Sequence, residues 1–254
     1  TSSSPANAAP GEGPAAAGAA AAAAGPAAAD PAAAGTAAAA PAAGAAPAPA
    51  AGGSDGAGAA PRVEFPFLSL LASGGHTMLL LVRGVGDYSV LGSTVDDALG
   101  EAFDKAARLL GLPLDGSGGA AVEAAAAAAG DVSAAAERYP LPVPMQRRKD
   151  CDFSYAGLKN SFRMAVDAAR GDAATLSPGA TAELAASFQH TAFLHLEQRL
   201  SRALSLCASR GLPVTALVVV GGVAANAELR RRLKALLLRQ GGQAGAGAGA
   251  GAGA

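Results

Sequence analysis

The sequence predicts a mixed α/β fold, and three patterns carry this prediction. Two apolar runs of strand length, FPFLSLLAS and MLLLVRG, flank the glycine turn GGHT. Apolar residues at helical spacing follow, up to residue 110. Later, a β-branched run at 216–220 leads through a second glycine turn into another helix pattern. Strands and helices that succeed one another in this way indicate a mixed α/β protein.

Composition confines this fold to the middle of the chain. Residues 1–60 are mostly Ala, Gly and Pro and contain no aromatic side chain. Such a segment cannot bury enough apolar surface to offset the entropy lost on ordering it. We therefore expect a disordered low-complexity segment at 1–60, and the same for the Gly/Ala tail at 241–254. The length of residues 61–240 allows one α/β domain, or part of a larger two-lobed one.

The charge pattern gives no general preference for nucleic acid. The net charge of the chain is -1, and all 19 Lys and Arg residues lie within 61–240. Two local basic runs, QRRK at 146–149 and RRRLK at 230–234, could contact phosphates. A solvated surface is the favoured interpretation of both runs.

Other sequence features bear on the compartment. Two cysteines without metal-site spacing suggest a reducing environment and no disulfide framework. No apolar run reaches the roughly 18 residues that a membrane span needs, so no membrane partner is expected. The first residues contain no Arg, and no signal or transit peptide is visible.

Each element has its own local signals, beginning with a helix predicted over 94–110. Ser93 or Thr94 can cap its start, with Asp96 or Asp97 three residues later as in a capping box. The sequence GLP ends it.

This helix carries a stripe of carboxylates. Three of them share one face: Asp97, Glu101 and Asp104. One interpretation is a salt-bridged solvent face, because Lys105 and Arg108 lie four residues after Glu101 and Asp104. The other is a ligand site. Gly100 favours the second, since a helical glycine costs about 1 kcal/mol relative to Ala and the close approach of another backbone or of a ligand would explain it.

The later elements follow in order. DGSGGAAVEAAAAAAG predicts a glycine loop leading into an Ala-rich helix. CDFSYAGLKNSF begins extended and turns helical near Gly157, and a long helix is expected over 181–209. The run at 216–220 predicts a strand buried on both faces. Asn226 can cap the last helix.

Three glycine turns, at 73–75, 117–119 and 221–222, are the strongest local hint of function. Glycine lets the backbone approach a ligand, and free N–H groups in such turns attract phosphate. Three of them in one short domain favour a nucleotide site. None matches the spacing of a P-loop or of a dinucleotide-binding fingerprint.

The histidines do not suggest a metal site. His190 and His195 are five residues apart, about 140° around a helix, and cannot jointly face one ion. Packing or a surface position is the favoured interpretation of both. His76 could serve a ligand or order its turn.

Four ordered blocks closely resemble the TsaD-type tRNA threonylcarbamoyladenosine synthases, also called the glycoprotease family. The first runs from FPFLSLLASGGHT to ARLLGLP. The others are GSGGAAVE, CDFSYAGLKNSF and VVVGGVAANAELRRRL. The resemblance covers about residues 64–240. The residues of the CDFSYAGLK and GSGGAAVE blocks are most similar to the eukaryotic organellar branch.

The resemblance implies a fold and an activity. The fold is the actin-like, Hsp70-like ATPase fold, here expected to be partial. The activity is transfer of a threonylcarbamoyl group from threonylcarbamoyl-AMP to N6 of adenosine 37 in tRNAs that read ANN codons. By resemblance, the adenylate-binding loop is formed by Leu71, Ala72, Ser73, Gly74 and Gly75. The resemblance also implies further substrate contacts from Asp104, Gly119 and Asn226, with Asp104 suited to the ribose hydroxyls or to the threonyl end.

The resemblance also implies a cofactor, partners and a compartment. The family holds one divalent ion, iron or zinc, through an H-x-x-x-H motif and a distant aspartate. No H-x-x-x-H occurs in this chain, so no metal ligand can be assigned. The expected partners are threonylcarbamoyl-AMP, tRNA and a second copy in a homodimer. The expected compartment is a mitochondrion or plastid.

Two other functions remain open at this stage. The chain could be an inactive family fragment or a non-catalytic binding partner. A sugar kinase of the same fold is disfavoured by the EAFDKAARLLG and DFSYAGLK blocks.

Overall fold

The computed structural model describes residues 63–247, with side chains described as far as residue 240. The segment expected to be disordered, 1–60, and the end of the tail, 248–254, lie outside the described residues.

Four strands form one mixed sheet, in the order β3-β2-β1-β4. Strands β1 and β2 are antiparallel, and so are β2 and β3, whereas β4 is parallel to β1. The strands predicted from the two apolar runs and from the 216–220 run are confirmed, and Asp87–Ser93 forms a fourth strand. Their bounds are Phe67–Ala72 for β1, Thr77–Gly84 for β2, Asp87–Ser93 for β3 and Leu217–Val220 for β4.

Six α-helices accompany this sheet in the described part of the chain. A short 3-10 turn at Gly222–Ala225 precedes the last of them, which continues past residue 240. None of the described helices is both long and apolar enough to cross a bilayer. Their bounds are Leu99–Leu110 for α1, Gly118–Ala127 for α2, Val132–Arg138 for α3, Ala156–Arg170 for α4, Pro178–Ser209 for α5 and Ala227–Gly247 for α6.

One face of the sheet packs against the helices, and together they form a single core. Alternate residues of β1, among them Leu68 and Leu70, are fully buried, and those between them are only partly so. The same core contains three aromatic rings from α1 and α5. Phe103 lies 5.3 Å from Phe188 and 5.4 Å from Phe193, measured between ring centroids. The sheet therefore has the alternating pattern of one core-facing side.

The prediction that the 216–220 run is buried on both faces is wrong. The residues of β4 are partly exposed, and 42% of Val220 is accessible. In the described part of the chain β4 lies at the edge of the sheet, beside β1 alone. A β-branched run fits a strand of either kind, because strand propensity depends on packing partners that lie far away in sequence.

Helix α1 begins later than predicted, and the proposed cap is wrong. Ala98 is the N-cap residue and makes no side-chain hydrogen bond. The hydroxyl of Thr77 instead accepts the N–H of Leu99 at 2.8 Å. Asp97 therefore precedes the helix and does not belong to the same helical face as Glu101 and Asp104.

The two aspartates before α1 are engaged elsewhere. The Asp96 carboxylate accepts the N–H groups of Tyr155 and Ala156, at 2.8 Å and 3.3 Å, and so caps α4 rather than α1. Asp97 pairs with Lys105 and Lys159, and these cations hold the pKa of its carboxyl below the ordinary value against the opposing effect of burial. These contacts fix α1 against α4.

Helix α5 holds the segment before α4 through buried polar side chains. The guanidinium of Arg199 is fully buried and donates to the carbonyls of Met145, Arg148 and Asp150. His195 is also fully buried, and its Nε2 accepts the N–H of Ser154 at 3.2 Å. The packing interpretation of His195 is confirmed.

His195 should make stability depend on pH. Burial, together with the charge of Arg199, lowers the pKa of its imidazole to about 4. Below about pH 6.5 the unfolded chain takes up a proton that the folded chain does not, so the free energy of unfolding falls as the pH drops from 6.5 to 4. At about 1.36 kcal/mol per pKa unit, the loss approaches about 3 kcal/mol.

Urea unfolding of wild type and His195→Gln at several pH values tests this effect. The variant should be less stable at pH 7.5, where it loses the packing of the imidazole and its hydrogen bond from Ser154, but its stability should fall less between pH 6.5 and 4. Parallel pH profiles for the two proteins would contradict the assignment.

Candidate functional site

A cavity of about 170 Å³ opens at the carboxyl ends of β1 and β4. Its walls are the loop after β1, the first turns of α1 and α2, and the turn after β4. In open α/β sheets, ligands bind outside the carboxyl ends of the strands. The position of this cavity therefore makes it the candidate site.

The loop after β1 is a closed turn with an accessible backbone. The N–H of Ser73 donates to the carbonyl of His76 at 2.8 Å, and the N–H of His76 donates to Ser73 Oγ at 3.0 Å. Gly74 and Gly75 are exposed, and a Cβ atom on either would meet nothing within 4 Å. His76 thus orders the turn through its backbone, and the two glycines leave open space beside the cavity.

Gly100 allows α1 to contact this loop directly. Its N–H donates to the carbonyl of Ser73 at 3.1 Å. A Cβ atom at residue 100 would lie 2.6 Å from that oxygen and 2.8 Å from the backbone N of Gly74. The close approach of another backbone, predicted from this glycine, is confirmed.

Asp104 connects α1 to the start of α2. Its Oδ1 accepts the N–H of Gly118 at 2.8 Å, and a Cβ atom on Gly118 would lie 2.5 Å from the Cα of Asp104. The carboxylate is thus held by α2 rather than by Arg108, the alternative partner considered above. The other expected ion pair is present, with 2.8 Å between Oε1 of Glu101 and Nζ of Lys105.

The turn after β4 packs on the end of β1. Gly221 has a φ of +102°, and a Cβ atom there would lie 2.2 Å from the carbonyl oxygen of Ala72. Asn226 then caps α6 as predicted, because its Oδ1 accepts the N–H of Leu229 at 2.9 Å. The start of α6 has a second partner from another helix, since the N–H of Ala227 donates to Glu123 at 2.7 Å.

The structure brings together four of the eight residues that the resemblance assigned to substrate binding. Gly74, Asp104, Gly119 and Asn226 all line the cavity. Ser73 and Gly75 lie in the adjoining turn. Leu71 and Ala72 belong to β1, where Ala72 is buried and Leu71 pairs with Val220. Neither residue lines the cavity.

Phe103 and Glu123 are among the side chains of this cavity that sequence reasoning missed. Phe103 forms part of an apolar wall, and Glu123 adds a second carboxylate beside Asp104. A signal for Glu123 existed, because it is the single charged residue of the Ala-rich helix α2. Phe103 carried no such signal, since its spacing is that of any core aromatic.

The cavity combines two kinds of chemistry. Carboxylates accept hydrogen bonds from hydroxyl groups, so Asp104 and Glu123 suit a sugar better than a phosphate. The glycine backbone of the 73–76 turn suits an anion. The N-terminus of α6 is satisfied within the protein by Asn226 and Glu123, which leaves the turn after β1 as the better anion contact.

The described residues do not fit the metal ion that the family resemblance implies. In the part of the chain that the structure describes, no group of three or more His, Cys, Asp or Glu side chains is placed to hold an ion. His195 lies in the core, and His190 lies beside Arg232, whose Nη1 is 3.3 Å from its Nδ1. None of the steps proposed below involves a metal.

Comparison with known proteins decides the family. The sequence model of one family, described as "TsaD: tRNA N6-adenosine threonylcarbamoyltransferase", matches residues 48–243. The chain belongs to the TsaD family. This membership confirms the predicted fold class, a partial actin-like, Hsp70-like α/β fold.

Several curated TsaD proteins are similar to this chain. The probable mitochondrial tRNA N6-adenosine threonylcarbamoyltransferase of Arabidopsis thaliana is 45% identical over 178 residues, which are 67% of this chain and 36% of that protein. Those of Agrobacterium fabrum and Bordetella pertussis are 50% and 48% identical, over 68% and 69% of this chain and 46% and 47% of theirs. The chain thus spans less than half the length of these relatives.

The backbone contact at Gly100 gives a testable prediction. In Gly100→Ala the new Cβ would meet the backbone of the 73–76 turn, so helix or loop must shift, at a cost of about 1–3 kcal/mol. Urea unfolding measures the change. Gly157→Ala is the matched control, because a Cβ at this glycine of α4 meets nothing within 4 Å.

The control should be neutral or stabilising by up to about 1 kcal/mol. Equal stability of the two variants would contradict the contact between α1 and the turn.

Proposed function

We propose that this chain forms one part of the adenylate site of a tRNA N6-adenosine threonylcarbamoyltransferase. The substrates would be threonylcarbamoyl-AMP and an ANN-decoding tRNA. Family membership supports the reaction class. The observation that carries the proposal for this chain is the convergence of Gly74, Asp104, Gly119 and Asn226 on one cavity, from four separate segments.

The chemistry of the cavity suggests how an adenylate would lie in it. We place the ribose hydroxyls against Asp104 and Glu123, which would accept their hydrogen bonds. The base would lie against Phe103 and Val223, the apolar part of the lining. The phosphate would then face the turn at 73–76, away from both carboxylates.

In the proposed reaction, N6 of the tRNA adenosine attacks the carbamoyl carbon of the mixed anhydride. A C–N bond forms while the C–O bond to the phosphate breaks, AMP leaves with the electron pair, and N6 loses a proton. The described residues would contribute by fixing the AMP portion, so that the carbamoyl carbon is held in place for attack.

The size of the cavity agrees with a partial site. Small-molecule sites typically measure about 300–1,000 Å³, whereas this cavity measures about 170 Å³. A chain that spans less than half of its relatives can supply one wall of a larger cleft.

The remaining assignments are proposals from the family and its relatives. An iron or zinc ion would have to be held by groups other than those described here. The similarity to a plant protein named as mitochondrial supports an organellar compartment, mitochondrion or plastid. A homodimer is proposed from the resemblance alone.

Only part of the positive charge in the two basic runs is available to tRNA phosphates, because some of these residues already form ion pairs. Arg148 bonds to Asp150, Arg231 to Glu228, and Arg232 is buried against Glu197. Arg232 is the one buried basic residue of these two runs. Arg148 and Arg231 are exposed but paired, whereas Arg147, Lys149, Arg230 and Lys234 are exposed and form no salt bridge with the described residues.

Two substitutions at Asp104 test the adenylate site. Asp104→Asn keeps an oxygen for the N–H of Gly118 but loses the negative charge, whereas Asp104→Ala loses both. Both variants should weaken AMP binding by about tenfold, as expected for a hydrogen bond to a charged group. Only Asp104→Ala should also lose about 1 kcal/mol of stability.

Calorimetry with AMP and urea unfolding measure the two effects. Unchanged AMP affinity in both variants would show that Asp104 serves only to hold α2.

The activity itself is tested with the purified protein. It is incubated with threonylcarbamoyl-AMP and an ANN-decoding tRNA, and the tRNA nucleosides are analysed by mass spectrometry. Threonylcarbamoyladenosine should appear, and Asp104→Ala should reduce it. AMP binding without any modified adenosine would instead support a non-catalytic binding protein.

A further inference from the structure

Asn226 is held from two directions at the edge of the cavity. It is 7% exposed and lines the cavity. Its Oδ1 accepts the backbone N–H of Leu229 at 2.9 Å, and its Nδ2 donates to Oε1 of Gln189 at 3.1 Å. Both hydrogen bonds are buried.

These partners determine which way the Asn226 amide faces. The N–H of Leu229 can only donate, so it must face Oδ1. The amino group then faces Gln189, and Gln189 must present its carbonyl oxygen. A side-chain amide has two N–H donors, and Gln189 takes one of them. Asn226 therefore retains one N–H for an acceptor atom of a ligand.

We infer that Gln189 is a positioning residue for the nucleotide site, which acts by holding the Asn226 amide so that an N–H serves the ligand. The inference rests on the proposed adenylate site. Gln189 lies on α5 and does not line the cavity, so it acts through Asn226 alone. The ligand group that it serves is a hydrogen-bond acceptor of the adenylate.

The contact between α5 and α6 does not depend on Gln189. Arg232 of α6 binds both carboxylate oxygens of Glu197 of α5, at 2.7 Å and 2.9 Å. The start of α6 is also held by Glu123. Loss of the Gln189 oxygen should therefore loosen the amide without releasing the helix, and variants at residue 189 should fold.

Three variants separate positioning from packing. Gln189→Leu has similar volume but offers no acceptor to Nδ2, so the affinity for AMP should fall about three- to tenfold. Gln189→Glu restores an acceptor of the same length and should recover most of that loss. Asn226→Ala removes the amide, and in this background Gln189→Leu should cause no further loss.

Calorimetric titration of each purified protein with AMP, well below its melting temperature, gives the affinities. If wild type binds AMP and Gln189→Leu has the same Kd, the inference is overturned while the adenylate site stands. If Gln189→Leu weakens binding equally with and without Asn226, the residue acts by another route. If wild type does not bind AMP, the proposed function fails first.

Discussion

The parallel pairing of β1 with β4 is the constraint on which the site depends. Leu71 lies opposite Val220, so both strands end at the same edge of the sheet. The turn at 73–76 and the turn at 221–226 are thereby brought together from positions far apart in sequence. The loop that joins antiparallel strands β1 and β2 becomes part of a cavity because a distant strand ends beside it.

The glycines around the cavity fall into two groups with different physical roles. At Gly100, Gly118 and Gly221, a Cβ atom would lie within 2.6 Å of a neighbouring atom, so these positions hold segments in contact. At Gly74, Gly75, Gly119 and Gly222, a Cβ atom would meet nothing closer than 3.8 Å. In the pairs Gly118–Gly119 and Gly221–Gly222, the first glycine therefore allows a close contact between segments, and the second leaves open space beside it.

This division explains what the sequence could and could not predict. The strands, the main helices and the Asn226 cap follow from local periodicity and local hydrogen bonding, so they were predictable. The glycine pairs were recognisable, but a sequence does not show which member of a pair meets another backbone. The resemblance assigned Gly119 to the ligand, and the structure adds that its neighbour Gly118 packs on Asp104.

Contacts over long sequence separations account for the errors. Thr77 accepts from the N–H of Leu99, and Asp96 caps a helix that begins 60 residues later. From the neighbouring sequence alone, each of these residues would be predicted to be an ordinary turn or helix-cap residue. The exposure of β4 is an error of the same kind, because burial depends on which elements lie beside a strand.

The buried polar side chains of α5 connect these distant contacts. Arg199 and His195 hold the segment before α4, and that segment meets Asp96 just before α1. Gly100 of α1 then donates a hydrogen bond to Ser73 in the turn at 73–76, which ties the turn to the helix. On the opposite wall, Gln189 holds Asn226. A buried guanidinium is costly to desolvate, and its carbonyl partners offset that cost only in one arrangement of the segment. The same helix thus fixes both walls of the cavity, one through a chain of contacts and the other directly.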